Sequence, residues 1–195
     1  MELDLNRQVL LVVGLAVLAP AAVGHTVRPG ALARTIRTQG TLPLVRSTSW
    51  AAPAYAAALA LAELAIGVAA AFSLTADGDT ARVAGIALVA AGLGFVAYVA
   101  RLLAREYAGD CGCTPLAATV TRLSLVPGAA LTAVGLALAL APGDGLDDVA
   151  FARTSGPWQT ALALAVGGVL GGLVALLPAT ALTGDPLVLR AEGSG

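Results

Sequence analysis

The sequence predicts an all-α, polytopic transmembrane helical bundle, because its composition and its charge distribution both indicate this class. Hydrophobic residues make up 58% of the 195 residues and charged residues only 12%, whereas soluble domains carry about a quarter charged residues. The mean hydropathy is +0.86. The charges lie in short clusters between long apolar runs, and the net charge of −1 suggests no nucleic-acid partner.

Five apolar runs meet or approach the length of a membrane-spanning helix. Roughly 20 helical residues cross about 30 Å of hydrocarbon, and backbone groups in lipid must be satisfied internally, which favours helices over strands here. The first run contains Pro20, and the acidic Glu2 and Asp4 before it are atypical of a cleaved signal peptide. The predicted spans of this single membrane domain, residues 1–195, are 8–24, 51–73, 83–103, 119–141 and 158–181.

The arginines fall mostly on one side of these five spans, and the chain contains no lysine. Cytoplasmic loops of membrane proteins are enriched in Arg and Lys. We therefore expect the N-terminus outside, the C-terminus inside, and the loop after the third span at the cytoplasmic face of a bacterial inner membrane. The eight arginines on the C-terminal side are Arg28, Arg34, Arg37, Arg46, Arg101, Arg105, Arg122 and Arg190; the three on the other side are Arg7, Arg82 and Arg153.

The first connecting segment, residues 25–49, reads "HTVRPGALARTIRTQGTLPLVRSTS". Its apolar and basic residues fall on opposite faces of a helix, which predicts a short amphipathic helix lying at the membrane interface. His25 stands at the start of this segment. We interpret it as a headgroup or backbone contact, with the mouth of a quinone or substrate site as the alternative.

Both cysteines of the chain lie in the stretch "GDCGCTP", residues 109–115, in the loop after the third span. A disulfide between Cys111 and Cys113 would close a loop of one residue, and disulfides stabilise a fold mainly by closing long loops. A dithiol this short can instead exchange electrons with another dithiol, and Gly112 lets the backbone bring the two sulfurs together or apart. Redox exchange is therefore the preferred use.

The residues after the cysteines predict a helix start. Thr114 and Pro115 suit an N-cap and a first helical position for the fourth span. Cys113 would then lie at the positive end of that helix, which favours its thiolate. We therefore expect Cys113 to be the attacking sulfur and Cys111 the resolving one. Asp110 opposes this effect. Two alternatives stay open: a soft-metal site, which lacks further ligands because the chain has one histidine, and a pair of cysteines with no chemistry.

Glu63 is the second unusual residue, in the stretch "ALALAELAIGVAAA" of the second span. It lies about 20 Å along a helix from Trp50, and an ionised carboxylate at that depth needs a partner. We expect it to be neutral, hydrogen-bonded or facing a polar cavity, and either a structural tie between helices or a proton relay. The candidate partners are Thr132, Thr160 and Tyr98.

The stretch "GGVLGG", residues 167–172, repeats glycine at a spacing of four on two adjacent helix stripes. Such stripes allow close backbone contact between membrane helices. We expect packing, either within the bundle or against a partner chain in a homo- or hetero-oligomer.

Together these features resemble the MauE branch of the DoxX-like redox-associated membrane proteins, over most of residues 8–141. The resemblance is carried by the segment ending "QGTLP" (residues 39–43), the stretch "ELAIG" (residues 63–67) and, most specifically, Cys111-Gly112-Cys113. It implies a four-helix core plus one additional helix. The family usually places an aromatic residue and a glycine after the second cysteine, where this chain has Thr114 and Pro115.

The resemblance implies a role in thiol-disulfide metabolism beside a thioredoxin-like partner. The leading hypothesis is a membrane thiol-disulfide electron carrier in which Cys111, Cys113 and Glu63 are the functional residues, with membrane lipids around the bundle. A membrane quinone is the candidate electron acceptor, and no resident cofactor or metal is predicted. The alternative is a non-catalytic membrane subunit, or a small-solute or metal transporter, whose cysteines are regulatory or hold a metal.

Overall fold

The computed structural model describes residues 5–40, 48–74, 78–107, 109, 119–140 and 157–180. Within these ranges the chain is helical apart from short turns and connections, as the sequence predicts. The elements in chain order are α1 (Leu5–Val27), α2 (Pro29–Gln39), α3 (Ala51–Phe72), α4 (Gly78–Leu103), a 3-10 turn (Arg122–Leu125), α5 (Val126–Leu140) and α6 (Pro157–Thr180).

Four of these helices are long and apolar enough to cross a membrane. They cover Arg7–Val27, Ala51–Phe72, Asp79–Leu103 and Arg122–Leu140, and α6 contributes the shorter apolar stretch Ala165–Ala175 among residues with described side chains. The predicted polytopic helical membrane bundle is therefore confirmed.

Helices α4 and α5 pack backbone against backbone through four glycines. A Cβ atom at Gly92 would lie 2.6 Å from the backbone nitrogen of Thr132 and 2.7 Å from the Gly128 carbonyl oxygen. A Cβ atom at Gly135 would lie 2.6 Å from the Gly85 carbonyl oxygen. Because real Cβ atoms do not come this close, only glycine permits this approach of the two helices.

Helix α1 packs against α3, α5 and α6, and the main apolar core forms around it. One stripe of the "GGVLGG" glycines faces α1, since a Cβ atom at Gly171 would lie 2.5 Å from the Ala16 Cβ atom and one at Gly167 would lie 2.9 Å from the Val12 Cβ atom. Gly168 and Gly172 meet no described atom within 4 Å. The predicted packing role is confirmed for the first stripe. The core residues are Leu11, Val17, Leu18, Ala70, Ala84, Leu88, Leu131, Val134 and Leu138.

The first connecting segment contains the predicted short helix. Its apolar residues Leu32, Ala33 and Ile36 are buried with the first turns of α3, so this face packs on protein. His25 lies in the last turn of α1. Pro29 then occupies the start of α2, where a missing N–H group carries no penalty.

The fourth span begins later than the prediction. The Thr121 N–H group donates to the Ser124 hydroxyl at 3.1 Å, and the 3-10 turn that leads into α5 starts at Arg122. The expectation that Thr114 and Pro115 start this helix is wrong, because a local cap signal cannot decide where tertiary packing starts a helix. Cys113 stands nine residues before Arg122, so the argument that the positive end of this helix activates it, and the assignment of Cys113 as attacker, lose their basis.

The glycine contact between α4 and α5 predicts a sharp difference between two neighbouring substitutions. Gly92→Ala should lower the free energy of unfolding by about 1 to 3 kcal/mol, because the new methyl group meets backbone atoms of α5. Gly94→Ala on the same helix is the control. A Cβ atom there meets nothing within 4 Å, so the change should be neutral or stabilising by up to about 1 kcal/mol.

Denaturant or thermal unfolding of both variants in the same detergent gives the comparison. Equal stability of the two variants would contradict this packing.

Candidate functional site

Helix α4 ends in a tight reversal that leads into the cysteine-bearing segment. The Tyr107 N–H group donates to the Leu102 carbonyl at 3.1 Å and the Glu106 N–H group to the Leu103 carbonyl at 3.0 Å, which is the Schellman pattern of helix termination. Glu106 takes a left-handed backbone conformation, with φ of 53°. This conformation costs a residue other than glycine roughly 1 to 2 kcal/mol, so the surrounding contacts must hold the turn in place.

The two ends of the cysteine-bearing segment are joined by a backbone hydrogen bond. The Val120 N–H group donates to the Gly109 carbonyl at 3.3 Å, and Val120 packs in an apolar cluster with the fully buried Val99 and Leu102. We call Gly109, Val120 and this cluster the loop base. Partly buried side chains that pack against the cluster are Phe95, Tyr98, Leu103, Tyr107 and Leu125.

Cys111 and Cys113 themselves lie outside the described residues. Cys111 nevertheless follows Gly109 by only two residues, and two residues of chain reach at most about 7 Å. The loop base therefore identifies the end of the bundle at which the two thiols are attached. No position or contact of either sulfur enters the arguments below.

The end of α2 meets this loop base. The Tyr98 hydroxyl donates to the side-chain oxygen of Gln39, which is buried. Gly40 ends α2 in a left-handed conformation, with φ of 55°, and its carbonyl accepts a hydrogen bond from Arg105 Nη1 at 3.3 Å. The first two residues of the "QGTLP" stretch thus connect α2 to α4 beside the loop base. Sequence reasoning missed this role, because it linked Tyr98 with Glu63.

Glu63 forms a buried pair with His25. The His25 Nδ1 and Glu63 Oε2 atoms lie 2.7 Å apart, and the two side chains are 8% and 13% exposed. The expected hydrogen bonding of Glu63 is therefore observed, and it joins α1 to α3. The interpretation of His25 as a headgroup or backbone contact is wrong, because antiparallel packing of α1 and α3 brings residues 38 positions apart together.

Of the three candidate partners proposed for Glu63, Thr132 and Tyr98 make hydrogen bonds to other groups. The Thr132 hydroxyl donates to the Gly128 carbonyl of its own helix at 2.8 Å, and the Tyr98 hydroxyl donates to Gln39. The side chain of Thr160 lies outside the described residues. A threonine hydroxyl in a helix is often satisfied by the carbonyl four residues earlier, which explains why Thr132 is a poor candidate.

The His25–Glu63 pair can hold a proton without creating an isolated charge. A neutral imidazole beside a carboxylate carries one negative charge, and uptake of one proton makes the pair neutral overall. The pair thus joins one acidic and one basic side chain by a hydrogen bond inside a candidate span.

The described residues contain no group of three His, Cys, Asp or Glu side chains close enough to hold a metal ion. His25 and Glu63 alone make two possible ligands. Zinc sites in proteins use at least three protein ligands, so a metal here would need further ligands from other parts of the chain.

A family model described as methylamine utilisation protein MauE matches residues 5–142, which is more than half of the chain. The chain belongs to the MauE family. Comparison with curated proteins and with solved structures finds no significant match. The MauE resemblance seen in the sequence is confirmed, while the DoxX-like grouping stays a prediction.

The MauE match covers every feature of the candidate site. It includes α1 to α5, both ends of the cysteine-bearing segment, the His25–Glu63 pair and the Tyr98–Gln39 hydrogen bond, whereas α6 lies outside it. The His25–Glu63 and Tyr98–Gln39 contacts therefore both lie within the part of the chain that matches the MauE model. Helix α6 adds the fifth long helix and packs on α1 through Gly167 and Gly171.

The His25–Glu63 pair predicts a measurable coupling between α1 and α3. In a double-mutant cycle with His25→Ala and Glu63→Ala, the interaction free energy should be about 1 to 3 kcal/mol. Each single variant already loses the shared buried hydrogen bond, so the double variant should be less destabilised than the sum of the two single variants. Glu63→Gln should be milder than Glu63→Ala, since the amide retains hydrogen-bonding groups.

Unfolding of the four proteins in one detergent measures the cycle. Effects that add to within about 0.5 kcal/mol would show that the two side chains act independently.

Proposed function

We propose that this MauE-family membrane protein is a thiol-disulfide redox protein that uses Cys111 and Cys113 to pass electrons to or from a thioredoxin-like partner or a membrane quinone. One observation carries the proposal. The only two cysteines of the chain belong to a single segment whose ends are hydrogen-bonded together on a buried cluster. A thiol pair attached to a rigid base at one end of a membrane bundle suits exchange with a partner outside the bundle.

The chemistry balances as a two-electron exchange. One thiolate attacks a sulfur of the partner disulfide, so a mixed disulfide forms and one partner thiolate leaves. The second cysteine then attacks the mixed disulfide, releasing the other partner thiolate and leaving Cys111 and Cys113 oxidised. The pair loses two electrons and two protons, and the partner gains both. The reverse sequence returns the electrons to the cysteine pair. A quinone could replace the partner disulfide as the oxidant, because it accepts two electrons and two protons from the dithiol.

The loop base supports this use over a structural one. The α4–α5 connection is already held by the Val120–Gly109 hydrogen bond and by the buried residues Val99 and Leu102. A disulfide closing one residue would add little further constraint to the unfolded chain. The described α4–α5 connection therefore does not depend on a disulfide between the two thiols.

We assign a proton-holding role to Glu63 together with His25. When a membrane quinone is the acceptor, its reduction takes up two protons within the bilayer, and an acid–base pair inside a span can hold a proton away from bulk water. The pair is buried within a candidate span and 2.7 Å apart, so one proton can be shared between the two atoms. Ionisable residues inside spans commonly mark proton or substrate pathways.

The second candidate function is transport or a non-catalytic membrane subunit. The observation that favours it is the same His25–Glu63 pair, because buried acid–base pairs inside spans also occur where solutes or protons cross the membrane. In that case the cysteines would be regulatory or would hold a metal. The cysteine variants below separate this function from redox exchange.

Removal of the thiols should abolish function. The double variant Cys111→Ala with Cys113→Ala should lose support for disulfide maturation in cells, and one of the two single variants should accumulate a mixed disulfide with the partner while the other does not. Mass spectrometry of the trapped species identifies the partner. The Gly94→Ala variant, which meets no atom at the substituted position, is the control for expression and folding. Normal disulfide maturation by the double variant would rule out the redox function.

We further propose that the N-terminus lies outside and the cysteine segment at the cytoplasmic face of the inner membrane, because of the arginine distribution. A membrane-impermeant thiol reagent should then label Cys111 and Cys113 only after the membrane is opened. A cysteine-free variant carrying Asp79→Cys, at the exposed start of α4, is the matched control and should be labelled in intact cells. The reverse labelling pattern would invert the orientation.

A further inference from the structure

Exposed arginines gather around the loop base. Arg105 precedes Gly109 by four residues, Arg122 follows Val120 by two, and both side chains are exposed. Arg105 also donates to the carbonyl of Gly40 at the end of α2, so the last turn of α2 lies beside the end of α4. Three further exposed arginines lie on the two helices that meet here, Arg34 and Arg37 on α2 and Arg101 on α4.

Few acidic groups offset this charge. Glu106 is the acidic residue of this end in the described part of the chain, and Asp110, beside Cys111, lies outside it. The five arginines form no ion pair with any acidic side chain of the described residues. Where they do make hydrogen bonds, the acceptors are backbone carbonyls, as for Arg37 with Ser49 at 2.5 Å. Such bonds occupy single N–H groups, and within the described ranges no carboxylate pairs with these five side chains.

We propose that the exchange partner of Cys111 and Cys113 is an anionic disulfide, one that carries negative charge close to its reactive sulfurs. This inference rests on the proposed redox function and names its substrate class. A positive field of this kind steers oppositely charged molecules to the site and raises the rate of encounter.

Lipid headgroups are the competing use of these arginines. A helix that binds lipid inserts its apolar face and directs its basic face to the headgroups. In this protein the apolar face of α2, with Leu32 and Ile36, is buried on α3, so α2 is held by protein. Its end is fixed beside the loop base by the Tyr98–Gln39 and Arg105–Gly40 hydrogen bonds. This arrangement favours a partner that meets the arginines together with the loop base, where the cysteine-bearing segment leaves the bundle.

The test reaction is a two-electron thiol-disulfide exchange with a small-molecule disulfide. A small disulfide R–S–S–R oxidises the protein dithiol, through one mixed disulfide, to the Cys111–Cys113 disulfide and two R–SH molecules. Three probes of similar size differ in charge: 3,3′-dithiodipropionate is a dianion, 2-hydroxyethyl disulfide is neutral, and cystamine is a dication. The rate of each with the reduced protein is divided by its rate with dithiothreitol, which removes differences in intrinsic reactivity.

In nanodiscs of zwitterionic lipid at low salt, the dianion should exceed the dication in normalised rate by about tenfold, and this ratio should fall towards one as salt screens the field. Arg101→Gln with Arg122→Gln should lower the ratio at least about threefold, since two of the five charges are removed. Arg82→Gln is the matched control. It removes an exposed arginine near α5 residue Ala139, at the other end of the bundle, and should leave the ratio unchanged.

Equal normalised rates for the three probes, or a preference for the dication, would overturn the inference while leaving the redox function intact. A preference that disappears when phosphatidylglycerol is added to the nanodiscs would assign the arginines to lipid headgroups and overturn it as well. Absence of reaction with all three probes, with both thiols still alkylated by maleimide, would overturn the proposed redox function itself.

Discussion

The close contact between α4 and α5 is the constraint on which the cysteine end of the molecule depends. Gly92 and Gly128 meet, as do Gly85 and Gly135, so the two antiparallel backbones touch along their length. The chain that leaves α4 must therefore return within a few ångströms to enter α5. The hydrogen bond between Gly109 and Val120 is the direct result of this geometry. A looser helix pair would leave the thiols on a connection without a defined base.

Helix α2 joins the two polar features of the bundle. Its first residue follows the His25–Glu63 pair closely in the chain, and its last residue, Gln39, bonds to Tyr98 beside the loop base. Eleven residues separate these ends, which corresponds to about 16 Å along a helix. The His25–Glu63 pair and the loop base are thus connected through one short helix packed on α3.

The fold could be predicted from the sequence because it depends on local properties, namely the length and apolarity of each run. The long-range contacts could not. The pairing of His25 with Glu63 depends on how far α1 slides along α3, and no local pattern encodes that register. The Thr114 and Pro115 cap signal failed because it is local, whereas the 3-10 turn that leads into the fourth span starts only at Arg122. The apolar face of α2 could be read from the sequence, but the surface that it covers could not.

The proposed function requires that Cys111 and Cys113 form a reversible two-electron couple. A redox titration of the protein in nanodiscs, using dithiol and disulfide buffers and counting alkylated thiols by mass spectrometry, tests it most directly. The account predicts a single transition in which the ratio of oxidised to reduced pair changes tenfold per about 30 mV, with a midpoint between roughly −300 and −100 mV. Two thiols that stay reduced in the most oxidising buffer, or that form disulfides only between molecules, would contradict it.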